Sequence, residues 1–362
     1  ANVHEEYYAS WFGVSTDISD NSPLIQNALN VIPSGSILIF GPGEYRCQQT
    51  IIIPDNPDIQ NQLKYLTLQG SAKLAGGAEL NRTRLRYSGP NPSSLTPLID
   101  FRGSTGNKRF IGSIRNIMFL GPGSSTNVVG LWFYDCVGSL FESIFCKSFK
   151  YGIQIDYSYY YSKFNDVYCR YCDYGFRAVG TGSLGNGAVF NYCLFNANNI
   201  GFACNASGYW DTGIYLNNCY LEGNKTAIDA LVTSSLHING CYFEANSEYV
   251  LKVSCPYNGY SPIVEFNNTY VQLNGTDLSS HKAVIKQTAN SGSIVSYDIR
   301  NNSIRNTSQS IPIIYYDYFI YVESGGVVIK AENNKLREPS ASFPICSTTP
   351  SDSSYFNNHF SG

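Results

Sequence analysis

The feature that most constrains this chain is an imperfect internal repeat between Phe141 and Asn274. Phe141-Glu-Ser-Ile-Phe-Cys-Lys147 can be laid over Phe164-Asn-Asp-Val-Tyr-Cys-Arg170, Phe190-Asn-Tyr-Cys-Leu-Phe-Asn196 and Leu216-Asn-Asn-Cys-Tyr-Leu-Glu222. Ile238-Asn-Gly-Cys-Tyr-Phe-Glu244 and Phe266-Asn-Asn-Thr-Tyr-Val-Gln272 continue the series. Successive seventh positions lie 23, 26, 26, 22 and 28 residues apart. A second register follows each copy: Gly152-Ile-Gln-Ile155, Gly175-Phe-Arg-Ala178, Gly201-Phe-Ala-Cys204, Ala227-Ile-Asp-Ala230 and Val250-Leu-Lys-Val253. Self-similarity at such a period marks a stacked architecture.

The pattern inside each copy decides which one. Short alternating apolar segments, separated by Asn- and Gly-rich turns, read as strands. A single copy cannot bury its own apolar face, but stacked copies bury a continuous column. The period suits one turn of a three-sided coil, each turn about 4.8 Å above the last. The predicted fold is therefore all-β: a right-handed parallel β-helix, or solenoid, with an N-terminal capping helix. The pairs Asn217-Asn218, Asn267-Asn268, Asn301-Asn302 and Asn333-Asn334 fit its turns, because Asn tolerates left-handed backbone. Cysteines 146, 169, 193, 219 and 241 are expected to stack inside as small hydrophobes.

A solenoid grows along its axis, so 362 residues need only one core. Three segments are expected: a lead-in and capping helix over 1–45, a β-helix body over 46–310, and a β-rich oligomerisation or tail region over 311–362. Ser22 is the expected N-cap, with Pro23 at the first helical position, and Leu24, Ile25, Ala28, Leu29 and Ile32 share one face. The arginines of Asn81–Arg86 read as a solvated loop. The run Ile313–Tyr321 is apolar and β-prone, a hazard as an open edge, and association with sister chains would cover it.

A net charge of -3 with only 14% charged residues gives no sign of a nucleic-acid partner. No apolar stretch is long enough to insert in a membrane. Eleven cysteines without paired metal-ligand spacing point to free, buried thiols and to folding in a reducing cytoplasm. Seven Asn-x-Ser/Thr sequons are what chance gives in so Asn- and Ser-rich a chain, and do not argue for secretion. The start at Ala1 is taken to mark an excised fragment whose attachment segment is missing. His4, His237, His281 and His359 are scattered, so neither a metal site nor a Ser-His pair is expected.

Phe12-Gly-Val14, the acidic stretch Asp17 to Asp20, Ile25-Gln26, Ala28 and Ile37-Leu-Ile-Phe-Gly-Pro-Gly-Glu-Tyr45 resemble the N-terminal signature of the pectate-lyase-like β-helix superfamily. Many bacteriophage tailspike and tail-fibre depolymerases begin their helix in this way. The close match covers about 35 residues. The resemblance implies a homotrimer on the virion tail, folded in the host cytoplasm, attached to the baseplate through the missing N-terminal segment, and acting on a bacterial surface polysaccharide. Fold alone does not fix chemistry. The Asn-Thr-Asp, Asp-Asp, Gly-His-Gly and Arg-Ile-Lys segments of polygalacturonases are absent, as is the Trp-x-Asp-His segment of calcium-dependent pectate lyases. No cofactor is expected.

Two carboxylates stand out. Glu222 and Glu244 hold the same register on consecutive coils, where like charges push one pKa up and allow a general acid beside an ionised partner. Asp229 and Asp211 are further acid candidates, and Asp156, Asp166 and Asp173 lesser ones. Trp210, Tyr209, Arg177, Lys252, His237 and Tyr242 are the candidate sugar contacts. The competing reading is that a Glu ending a strand bonds the amides of the following turn. Three functions follow: an endo-glycoside hydrolase of capsular or O-antigen polysaccharide, a lyase using Arg177, Lys252 or a tyrosine, and a non-catalytic glycan-binding spike.

Overall fold

The computed structural model describes residues 5–71, 82–179, 187–204, 213–256, 261–273, 283–290, 292–306, 318–337, 352–356 and 359–361. The strands fall into three parallel lanes of a right-handed β-helix. The first lane runs from Glu6–Tyr8 through Ile37–Ile39, Ala188–Asn191, Ile214–Asn217 and Ser235–Asn239 to Asp352–Phe356. The second includes Gly43–Cys47, Thr83–Tyr87, Ile117–Leu120, Leu194–Asn196, Tyr220–Glu222, Tyr242–Glu244 and Tyr270–Leu273. The third runs from Ile51–Ile52 through Val128–Cys136, Tyr174–Ala178 and Thr226–Leu231 to Tyr318–Ser324. Leu140–Lys147 and Lys163–Arg170 are long enough to serve the first two lanes at once. Among the described residues the lanes run from strand Glu6–Tyr8 to strand His359–Ser361.

The repeat alignment is the register of the structure. Lys147 pairs with Arg170, Arg170 with Asn196, Asn196 with Glu222, Glu222 with Glu244 and Glu244 with Gln272. Ile153, Phe176, Phe202, Ile228 and Leu251 are likewise one column of the third lane. Inside, Phe141, Phe164 and Phe190 stack face to face, with centroids 4.5 and 4.4 Å apart.

From Asn116 onward, each described first corner turns on one left-handed residue. Asn116, Ser143, Asp166, Tyr192, Asn218, Gly240, Asn268, Asn301 and Asn333 have φ between 52° and 65°. The next residue points inward and forms a column of its own. There Cys193, Cys219 and Cys241 set their thiols against the carbonyls of Phe164, Phe190 and Leu216, and Thr269, Asn302 and Asn334 follow. Cys146 and Cys169 belong to a different column, in the second lane, so the thiols form two stacks. The ten described cysteines are free and buried.

The second corner, between the second and third lanes, is held by an internal asparagine ladder. Asn224 Oδ1 accepts from the Asn198 amide at 3.0 Å, and Asn246 Oδ1 accepts from the Asn224 amide at 3.1 Å. Asn224 Nδ2 donates to the Phe195 carbonyl at 2.9 Å. All three asparagines are buried, so each side chain replaces the water those backbone groups would otherwise bind.

Helix Ser22–Val31 buries Ile25, Ala28 and Leu29, with Ile32 just beyond. Ser22 is not its N-cap. The helix begins at Ser22, whose amide and hydroxyl both donate to Asp20 Oδ1, so the acidic residue supplies the acceptor. At the other end the Lys64 ammonium donates to the carbonyls of Leu29, Asn30 and Ile32, where the helix dipole favours a cation. The arginines of 81–86 are not a loop either. Thr83–Tyr87 is a second-lane strand, with Arg86 bound by both nitrogens to Glu44 at 2.7 and 3.1 Å.

Asn224→Ala strands two buried backbone groups, the Asn198 amide and the Phe195 carbonyl. It should cost about 2–6 kcal/mol, since each unsatisfied group costs about 1–3 kcal/mol. Asn199→Ala, which removes an exposed contact to Asp173, should leave the guanidinium unfolding midpoint nearly unchanged.

Candidate functional site

The outward side of the second lane carries two columns, because alternate strand residues leave the core. One reads Glu44, Arg84, Met118, Phe145, Tyr168, Leu194, Tyr220, Tyr242 and Tyr270. The other reads Arg46, Arg86, Leu120, Lys147, Arg170, Asn196, Glu222, Glu244 and Gln272. Leu221 and Phe243 anchor the strands below, fully buried. The acid pair therefore sits on a rigid wall beside a tyrosine ladder, in which Tyr242 and Tyr270 stack with centroids 5.3 Å apart.

The two carboxylates have different surroundings. Asn196 Nδ2 donates to Glu222 Oε2 at 3.3 Å, and the Tyr242 hydroxyl donates to Glu244 Oε2 at 2.9 Å. Burial and the facing Glu244 raise the Glu222 pKa from its ordinary value. Burial and the bond to Glu244 push the Tyr242 phenol up to about 12, so it remains a donor. The following turns do not use the side-chain carboxylates. The Gly223 amide donates to the main-chain carbonyl of Glu244, and the Ala245 amide to that of Gln272.

The remaining candidates are distributed elsewhere. Arg177, Asp229 and Lys252 are outward members of one third-lane column, and Lys252 lies 3.6 Å from Asp229. That column lies past the left-handed corner at Gly223 and Ala245. Among the described residues, no hydrogen bond or ion pair joins it to the acid pair. His237 is on the first lane, stacked on Tyr215 at 4.4 Å, with Nδ1 2.7 Å from Glu265. Tyr209, Trp210 and Asp211 fall outside the described residues. Asp166 turns a first corner and accepts from Ser143, and Asp173 accepts from Asn199.

Asp156, a lesser acid candidate, belongs to a second polar cluster on the third lane, whose other members sequence reasoning passed over. Asp156 accepts from Trp132 Nε1 at 2.6 Å and from Gln154 Nε2 at 2.7 Å, and burial raises its pKa. Arg102 stacks 3.7 Å from the Trp132 ring and binds Asp100. Asp100, Trp132, Gln154 and Arg177 form one column, a signal that extending the second register upstream would have revealed. Each carboxylate there is already engaged by its neighbours. Among the described residues no group of three or more His, Cys, Asp or Glu could hold a metal ion, and no helix is long and apolar enough to cross a membrane.

No family model matches this sequence, and no curated protein does. Solved structures match the fold. The ORF18 protein of Geobacillus virus E2 superposes with a TM-score of 0.60 at 15% identity, over 90% of this chain and 61% of its own. The tailspike gp49 of Acinetobacter baumannii bacteriophage Fri1, a capsular polysaccharide depolymerase, gives 0.56 at 12%, over 99% and 64%. The catalytic unit of a GH87 α-1,3-glucanase from Streptomyces thermodiastaticus gives 0.56 at 11%, over 98% and 69%. The chain is a right-handed parallel β-helix similar in fold to these proteins. It spans about three fifths of the length of the two viral ones.

The raised Glu222 pKa has a stability consequence with a definite sign. A carboxyl whose folded pKa lies above its unfolded value binds its proton more tightly in the folded state. Its ionisation therefore removes stability as pH rises through the carboxyl range. Glu222→Gln should melt at or above the wild-type temperature at pH 7. The difference should close as the pH falls below the ordinary carboxyl pKa.

Proposed function

We propose that this protein is a bacteriophage tailspike depolymerase that cleaves a bacterial surface polysaccharide by endo-glycoside hydrolysis. The observation that carries the reading is the chemical asymmetry of two outward carboxylates on adjacent rungs. One has its pKa raised by burial and its neighbour, the other is hydrogen-bonded by a phenol, and the turn that follows each is bonded by main-chain carbonyls. A structural role in those turns is already filled by main-chain carbonyls. The fold likeness to a capsular depolymerase and an α-1,3-glucanase supports a polysaccharide as the ligand.

In this reading Glu222 gives its proton to the glycosidic oxygen as the bond to the anomeric carbon breaks. Glu244 is the ionised partner that stabilises the developing oxocarbenium and then attacks it or activates water. The rung spacing of about 4.8 Å suits the close carboxyl separation of retaining enzymes, about 5–5.5 Å. Asn196 and Tyr242 orient the two groups, and the tyrosine ladder offers aromatic faces to sugar rings. Arg177 is engaged by Gln154 and by the rings of Tyr151 and Tyr174, so a lyase acting at the pair would draw its base from the tyrosine ladder.

Glu222→Gln and Glu244→Gln should each lower the release of reducing ends from the cognate capsule by at least about 10²-fold. Glycan binding and melting temperature should persist. Cleavage at near wild-type rates by both variants would remove the pair from the mechanism. Binding without cleavage by the wild type, across a panel of purified capsules, would establish a receptor spike.

The assembly proposed is a homotrimer on the virion tail, with sister chains flanking the exposed aromatics, among them Tyr161 and Tyr192. Light scattering should return about three times the chain mass of 40.1 kDa at micromolar concentration. A monomer mass there would sink the trimer.

A further inference from the structure

The second-lane face is electrically polarised along the solenoid axis, although the chain as a whole is slightly acidic. Of the charged members of its two outward columns, Arg46, Arg84, Arg86, Lys147 and Arg170 precede the acid pair, against the single carboxylate of Glu44. Five cations and one anion leave that stretch at +4. Glu44 is committed to Arg86 through two hydrogen bonds and lies 3.8 Å from Arg84. Lys147 and Arg170 pair with no carboxylate among the described residues; both face the Tyr171 ring, at 5.9 and 4.5 Å. A run of unneutralised cations on one wall costs self-repulsion, and an anionic ligand would relieve it.

Those cations surround a built recess. A cavity of about 130 Å³ is lined by Arg84, Arg86, Lys147, Gly121 and Ser148 among others, room for about four water molecules. The Arg84 Nε is buried beside it and faces Glu44 Oε2 at 3.8 Å, an ion pair longer than a hydrogen bond. Glu44 is one carboxylate shared between two arginines, so the recess keeps a net positive charge that an anionic group would neutralise. Three rungs separate Lys147 from Glu222, about 14 Å along the axis at about 4.8 Å each.

We infer that this face takes an acidic polysaccharide, one of whose carboxylate-bearing sugars seats at Arg84 and Lys147 while the chain runs along the lane to the acid pair. The inference rests on reading this face as the substrate groove. Guanidinium and ammonium donors at the recess match a sugar carboxylate, with Arg84 supplying the fixed fork and Lys147 a movable charge. Beyond Arg170 the column turns neutral at Asn196 and acidic at Glu222 and Glu244. A carboxylate is therefore favoured upstream and repelled at the pair, which sets which sugar of a mixed repeat stands over the catalytic groups.

The test uses polygalacturonate oligosaccharides, and the same oligosaccharides methyl-esterified, as probes of the intact protein by titration calorimetry. Wild type should bind the acid form in 50 mM NaCl, lose affinity as salt shortens the screening length to about 8 Å near 0.15 M, and ignore the ester. Arg84→Met/Lys147→Met should weaken acid-form binding at least fivefold. Lys147→Met/Arg170→Met, which alters more exposed side chains, guards against a folding defect and should act in the same direction. Glu222→Gln should bind the acid form as well as wild type or better. The inference is overturned if wild type binds neither form, or both forms equally, or if both double variants bind like wild type. Cleavage plays no part in these readouts. Failure of the acid pair as catalysts would appear only as undiminished activity of the Gln variants.

Discussion

The regular coils from Asn116 onward depend on a single backbone event apiece, the left-handed residue at the first corner. Without it the chain would run straight from first lane to second. With it, one residue reverses the pleat, and the next side chain enters the core. For non-glycine residues that conformation costs about 1–2 kcal/mol, and eight of the nine left-handed corners carry it on Asn, Ser, Asp or Tyr. The cost is offset because each corner amide is hydrogen-bonded to the next coil: Asn116 to Glu142, Tyr192 to Asn217, Asn218 to Asn239, Asn268 to Arg300. Corner and ladder stabilise each other. Regular corners in turn keep the outward columns in line, and aligned columns are what place one glutamate over another.

That coupling explains what the sequence made legible. Period, lanes and column membership were readable because stacking repeats them at every rung; Lys147 through Gln272 could be aligned by eye. The corner asparagines were readable for the same reason. Features that occur once were not. Ser22 looked like an N-cap, yet the Asp20 carboxylate outcompetes it as acceptor and binds the Ser22 hydroxyl itself. Arg84 and Arg86 looked like a loop because the segment before them departs from the repeat, while their pairing with Glu44 and Leu120 depends on coils far away in sequence.

The candidate site divided along the same line. Glu222, Glu244 and Tyr242 share a lane, so the repeat places them together. Asp229 and Lys252 follow the two glutamates closely in sequence, but a corner intervenes, and proximity along the chain does not carry around it. The Trp132–Asp156–Arg102 cluster went unseen because its members come from three coils in a region where the repeat is least regular. In a solenoid, distance is counted in rungs and lanes, and residues about 25 apart are nearer than residues five apart across a corner.

The buried thiols have a use beyond filling space. Cys47 lies in an early coil, Cys146, Cys169, Cys193, Cys219 and Cys241 climb the middle, and Cys255 stands further on. Because each coil touches mainly its neighbours, a solenoid can open from one end in steps rather than all at once. A thiol shielded in its rung becomes reactive only when that rung peels away. The cysteines thus form a graduated scale along the axis, and the order in which a soft alkylating reagent marks them would read out the direction in which the coil unzips.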